Sequence, residues 1–293
     1  MPLDIQHVSL AQLFSHAEPF HMARYQRHYE WGRKEMEQLL DDLGEAFAAH
    51  VEAPKSGAYH FLGNVILFAN SSGHLEVVDG QQRLTSLTLL LIAGIGAGLE
   101  AALRDQLAGM LFVRAATGPA QPRLVLHRGD QHFLHQTLLA DTTVKALEQL
   151  GRQDNQGAEC LRANALIAYN WLASRPRADL TPFLRFVLAQ GRFVELQVGH
   201  EDDAFRIFET VNNRGRAIAS EDVLRYALVE YATPDPARRE EYLARWDAME
   251  SELGPRGTKR FINGWRARLT EGGRPRQLRI WLGLLRLPCR LIV

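Results

Sequence analysis

The sequence predicts an α+β fold, a small mixed sheet with a largely helical remainder, and three observations carry that prediction. Two apolar, β-branched runs, Phe61–Ala69 and His74–Val78, flank the turn residues Asn70-Ser71-Ser72-Gly73 and read as a β-hairpin. After Asp79-Gly80 the apolar period switches from two to 3.6, with Leu84, Leu87, Leu90 and Leu91 on one stripe. Beyond residue 130, helical patterns dominate, interrupted by the strand-like Arg192–Val198.

In chain order, the stretch through Phe20 has only short apolar runs, Val8-Ser9-Leu10 and Leu13-Phe14, and an aromatic, cationic segment follows, Arg24-Tyr25-Gln26-Arg27-His28-Tyr29-Glu30-Trp31. From Lys34 to His50, Met36, Leu39, Leu40, Leu43 and Phe47 recur at helical spacing among Asp41, Asp42 and Glu45, which predicts an amphipathic helix. A helix is expected over Leu99–Val113 and a short strand over Leu124–Leu126. Further helices are expected over Asp130–Leu150 and Cys160–Leu172, with another starting at Pro182. Glu201–Val211 and Ser220–Tyr231 read as helices around a turn at Asn212–Arg216.

The bulk composition excludes several classes. Lys plus Arg and Asp plus Glu both number 34 in 293 residues, so the whole chain lacks the basic footprint of a dedicated nucleic-acid binder. Charge is uneven, however: between Arg256 and Arg290 stand Lys259, Arg260, Arg266, Arg268, Arg274, Arg276, Arg279, Arg286 and Arg290 against one acid, Glu271. That stretch suits either nucleic acid or a solvated helical face. Cys160 and Cys289 have neither zinc nor C-x-x-C spacing and fit a reducing compartment. The N-terminus has no signal-peptide pattern, and Leu84–Leu99 is too short to span a bilayer, so a cytoplasmic protein without a membrane partner is expected.

The string Val77-Val78-Asp79-Gly80-Gln81-Gln82-Arg83 is the candidate site. A strand ends in a tight turn at Gly80, and a helix then begins with free N–H groups and a positive dipole end, which suits an anion. Arg83 adds a planar fork for phosphate, Gln81 and Gln82 add neutral donors, and Asp79 suits a metal ion or an oriented water. Local physics allows a second reading on equal terms: Asp79 and Gln82 have the spacing of a capping box, which needs no ligand.

Four blocks in order resemble one family. VVDGQQRLTSLTLLL is similar to the signature of the DGQQR domain at the N-terminus of GmrSD-type modification-dependent restriction proteins, also present in the phosphorothioate-sensing SspE proteins. Arg24–Trp31 with Leu39–Leu43 resembles the family's opening Y-Q-R-x-Y-x-W and L-x-D pattern, and Phe61–Leu67 its first core strand. Phe208–Gly215 with Ser220–Leu224 resembles its later F-x-x-x-N-x-R-G…S-x-x-D-L box.

The resemblance implies a ParB/sulfiredoxin-like domain over residues 1–232, followed by a helical, Arg-rich extension over 233–293. It implies binding and hydrolysis of a nucleoside triphosphate with Mg²⁺, the DGQQR turn lying at the phosphates. On that reading Asp79, Gln82, Arg83 and Arg214 act in catalysis, while Gln26, Arg27, Gly80, Gln81 and Asn212 bind the nucleotide. Asp79, Glu209 and Asn212 supply metal ligands, with Glu209 equally readable as an ordinary helix residue. Tyr29 and Trp31 are expected to pack in the core.

In relatives the domain regulates a C-terminal His-Me finger nuclease that cleaves modified foreign DNA. No such motif follows here, so modified DNA and a separate nuclease chain become the expected partners, with a truncated product as the other explanation. The alternative functions are a nucleotide or DNA sensor without turnover and a ParB-like nuclease, the latter disfavoured because neither a nucleophile nor a two-metal carboxylate cluster stands out.

Overall fold

The computed structural model describes residues 4–199 except 24–25, 55–58, 71–72 and 115–118, together with 203, 207, 241, 244–250, 252–254, 257–258 and 260–261. They fall in two compact units: Met1–Ala23 with His28–Phe208, and Arg24–Arg27 with Glu209–Val293. In the second unit, residues 244–250 are helical.

The first unit is α+β, as expected. Strand β1 (Asp4–Ser9) runs into a single turn, α1 (Leu10–Leu13), at a capping box in which the Gln12 amide N–H donates to Ser9 Oγ at 3.2 Å and the Ser9 N–H donates to Gln12 Oε1 at 2.8 Å. β2 (Phe20–Met22), α2 (Arg33–Glu52), β3 (His60–Ala69) and β4 (Leu75–Asp79) follow. The predicted hairpin is β3–β4, closed by the Asn70 N–H donating to the His74 carbonyl at 2.9 Å. Then come α3 (Gln81–Gly96), α4 (Ala101–Leu111), and the short strands β5 (Phe112–Val113), β6 (Gln121–Pro122) and β7 (Leu124–Val125). The chain continues through α5 (Arg128–Phe133), α6 (Val144–Gln149), α7 (Gln156–Ala173) and α8 (Arg177–Gln190) into β8 (Gly191–Val198).

Six strands form the main sheet in the order β1-β8-β3-β4-β2-β7. β8 joins antiparallel to β1 and parallel to β3, β3 is antiparallel to β4, and β2 is parallel to both β4 and β7. The sheet is therefore assembled from both ends of the unit. β1 and β2 escape a periodicity reading because the strands are only six and three residues long.

Three boundaries differ from expectation. The helix over 130–150 is broken by a π-helical turn at Leu134–Leu138, and α6 restarts at Thr143, whose hydroxyl accepts from the Ala146 N–H. α4 stops at Leu111 because Phe112 turns extended to pair with Pro122. α8 begins at Arg177, with Pro182 inside it and not at its start. As the sixth residue of the helix, Pro182 forfeits one intrahelical hydrogen bond, to the Ala178 carbonyl.

α3 is buried on every side from Leu84 to Gly94, the mark of a helix at the centre of a core and not on its surface. Its fully buried leucines each contribute about 2 kcal/mol. α7 and α4 pack against it, so the segment that follows the candidate turn is held inside the core.

Candidate functional site at the turn after β4

β4 delivers the chain to Gly80 in the left-handed region, φ 97° and ψ 0°. A Cβ there would stand 3.1 Å from both the Asn64 carbonyl oxygen and Val65 Cγ2, so strain and space both require glycine. α3 then starts at Gln81 with Gly80 as its N-cap and no side-chain cap bond. The capping box between Asp79 and Gln82 does not form. Gln82 faces another segment: its Oε1 accepts from the Glu30 and Trp31 N–H groups at 2.9 and 3.2 Å, and its Nε2 donates to the His28 carbonyl at 3.1 Å. One side chain of the turn thus holds the backbone of residues 28–31.

That segment is held a second time from below. Tyr29, fully buried, has its hydroxyl 2.7 Å from Ser86 Oγ, while Ser86 Oγ donates to the Gln82 carbonyl at 2.9 Å. Asn164 Nδ2 donates to Tyr29 Oη at 2.9 Å and to the Trp31 carbonyl at 2.7 Å. The Tyr29 N–H donates to Asp130 Oδ2 at 2.9 Å. Tyr29 and Trp31 therefore pack as expected, Tyr29 in the core and Trp31 against it. The sequence reading missed Ser86, Asp130 and Asn164. The polar Thr85-Ser86 pair inside an otherwise apolar helix was the available signal, since buried hydroxyls need partners.

Arg83 lies one helical turn in from the strand, partly buried. Its guanidinium rests on β3 at Gly63, where a Cβ would come within 2.7 Å of Nη1 and 2.9 Å of Cζ. Gly63 has φ 98° and sits at a bulge in the β3–β8 pairing, so the strand bends where the arginine crosses it. This explains the glycine in the Phe61–Leu67 block, which sequence reasoning treated only as strand. Burial lowers the Arg83 pKa and the Asp79 carboxylate opposes that shift. Among the described residues Arg83 makes no hydrogen bond. A guanidinium has five donors, so a partly desolvated one without acceptors has the capacity to take an oxyanion.

Asp79 is held above the usual carboxylate range by burial, against the pull of the Gly80 N–H bond and the Arg83 charge. Gln81 is buried beside it at 3% exposure. Gln26 and Arg27, both partly buried, belong to the second unit and not to the one that carries the turn. Glu209, Asn212 and Arg214 lie outside the described residues.

The raised Asp79 pKa has a consequence with a definite sign. Native Asp79 binds its proton more tightly than the unfolded chain does, so stability falls as pH rises from the ordinary carboxylate pKa through the folded one. The full cost is present once the pH exceeds the folded pKa. Asp79→Asn is therefore expected to be more stable than the wild type at neutral pH, by about 1 kcal/mol. Below about pH 4 the advantage should disappear. Thermal melts of the two proteins at pH 7 and pH 3.5 check this; an Asn variant less stable at pH 7 would contradict the assignment.

The sequence model for the family described as "GmrSD restriction endonuclease, N-terminal domain" matches residues 10–229, from the start of α1 through every motif block discussed above. No curated protein matches the chain. Among the described residues no helix is long and apolar enough to cross a membrane.

Proposed function

Because the chain belongs to the family of GmrSD restriction-endonuclease N-terminal domains, a component of a restriction defence system, we propose that it binds and hydrolyses a nucleoside triphosphate at the turn Asp79–Arg83 and thereby regulates action on modified foreign DNA. The observation that carries this reading is the Arg83 guanidinium, seated on Gly63 beside the start of α3 without a hydrogen-bond acceptor among the described residues. Helix start and guanidinium together offer a phosphate chain amide donors, a positive dipole end and a planar fork.

Each residue then has a role. The first-turn amides of α3 receive the phosphates, and Gly80 lets the chain turn tightly against Asn64 and Val65 to present them. Arg83 offsets the charge that grows on the phosphate oxygens as water displaces the terminal phosphoryl group. Gln82 is a positioning residue, since its side-chain hydrogen bonds among the described residues run to the 28–31 backbone. Asp79 fits a Mg²⁺ ligand. The cation prefers a few carboxylate oxygens together with phosphate and water, and its charge would remove the cost of keeping a desolvated Asp79 ionised. Mg²⁺ would supply charge neutralisation across the phosphates.

The test is phosphate release from a panel of nucleoside triphosphates with and without Mg²⁺. Turnover that depends on Mg²⁺ and is lost in Asp79→Ala supports the proposal. Tight nucleotide binding without turnover would make the domain a sensor instead. Turnover equal in wild type and Asp79→Ala would remove the site.

A further inference from the structure

A second feature lies in the same unit, at residues the family's motif blocks do not include. Arg123 precedes β7, at the end of the parallel strands where β4 begins; the candidate turn stands where β4 ends. Its side chain is only 5% exposed, and it lines a cavity of about 620 Å³ with His16, Asp105, Phe112, Val113 and Arg114. That volume lies in the range of small-molecule sites.

Arg123 is a buried cation without a buried anion. Its Nη1 donates to the His16 and Glu18 carbonyls at 2.5 and 3.0 Å, its Nε to the Met110 carbonyl at 3.4 Å, and its guanidinium lies 5.9 Å from the Phe20 ring centroid. Burial lowers its pKa, and no carboxylate acts against that shift. Three carbonyls and a ring face solvate one side of the group, but Nη2 makes no hydrogen bond among the described residues. A desolvated full charge calls for an opposite charge more than for neutral dipoles.

The cavity wall offers further support for an anion. Arg114 lines it from the exposed side. His16 is held by buried Glu195, with Nε2 3.0 Å from Oε1, so its ring is fixed at the wall. Asp105, the acid in the wall, is 73% exposed and is engaged by Arg104 at 3.6 Å. Phe112 and Val113 give the cavity an apolar side.

We propose that this cavity is a second binding site, for a small molecule with an oxyanion head gripped by Arg123 and Arg114 and an apolar body against Phe112 and Val113. The site does not depend on the nucleotide reading of the turn, and its ligand would occupy a different end of the sheet.

Titration calorimetry of the full chain with three probes tests it: inorganic phosphate, a nucleoside 5′-monophosphate and malonate. Saturable binding of at least one probe is expected, phosphate preference indicating a phosphoryl head and malonate preference a carboxylate. Arg123→Lys should weaken it about 10-fold or more, because an ammonium cannot keep the carbonyl bonds and present a fork. Should that variant fail to fold, Arg114→Ala lies on the exposed side and should still weaken binding about 3-fold or more. The same titrations on Arg83→Ala, in which the guanidinium of the turn is gone, should retain a saturable component that Arg123→Lys weakens, which separates this site from the turn. No saturable binding of any probe, binding indifferent to the Arg123 and Arg114 changes, or binding abolished by Arg83→Ala would each overturn the proposal.

Discussion

Arg83→Ala is expected to lower kcat/KM for nucleoside-triphosphate hydrolysis by ~10²–10³-fold while leaving the protein as stable as the wild type or slightly more so. The two halves follow from one geometry. The guanidinium lies on the Gly63 backbone, partly desolvated, with no hydrogen-bond acceptor among the described residues, so the folded state bears a cost that a phosphate would relieve. Removing the group relieves that cost and removes the receptor. Arg83→Lys should rescue little, since a point charge cannot replace the fork that lies flat over Gly63. Gly63→Ala should mimic the loss of activity by forcing the guanidinium away, but at a stability cost, because φ 98° strains any residue with a Cβ. Steady-state phosphate release and thermal melts on the three variants measure both halves. An Arg83→Ala protein that turns over normally, or that melts well below the wild type, would show that the arginine is structural.

Tyr29→Ala is expected to cost about 3–5 kcal/mol of stability, the range for deleting a fully buried aromatic ring. Tyr29→Phe separates packing from polarity. It keeps the ring and removes one hydroxyl, which stands 2.7 Å from Ser86 Oγ and accepts from Asn164 Nδ2 at 2.9 Å. Its cost should be about 1–2 kcal/mol, because both partners keep a second bond, Ser86 to the Gln82 carbonyl and Asn164 to the Trp31 carbonyl. Urea denaturation distinguishes the two values. Tyr29 also joins residues 28–31 to α3 and α7, so the Phe variant should raise KM for nucleotide more than it lowers kcat. A Tyr29→Phe protein as unstable as Tyr29→Ala would mean that the hydroxyl network, and not the ring, holds this part of the unit.

The sequence by itself determined the local chemistry of the turn. Gly80 had to follow an extended run and precede a helix, because only glycine enters that helix from φ 97° with Asn64 and Val65 so near. The β3–β4 hairpin, α2 and α7 were legible because their apolar periods run long enough to show. What only the tertiary structure decided is who meets whom. Gln82 has the spacing of a capping residue, yet its amide is drawn to residues 28–31, 51 to 54 positions away in the chain. Arg83 finds its seat at Gly63 because β3 is antiparallel to β4 and bulges there. β1, β2 and the place of β8 between β1 and β3 were equally hidden, since strand pairing is settled by contacts between segments and not within them. The physical reason is the same in each case: a side chain's hydrogen-bonding capacity is written in its type, but the partner that satisfies it is chosen by the fold.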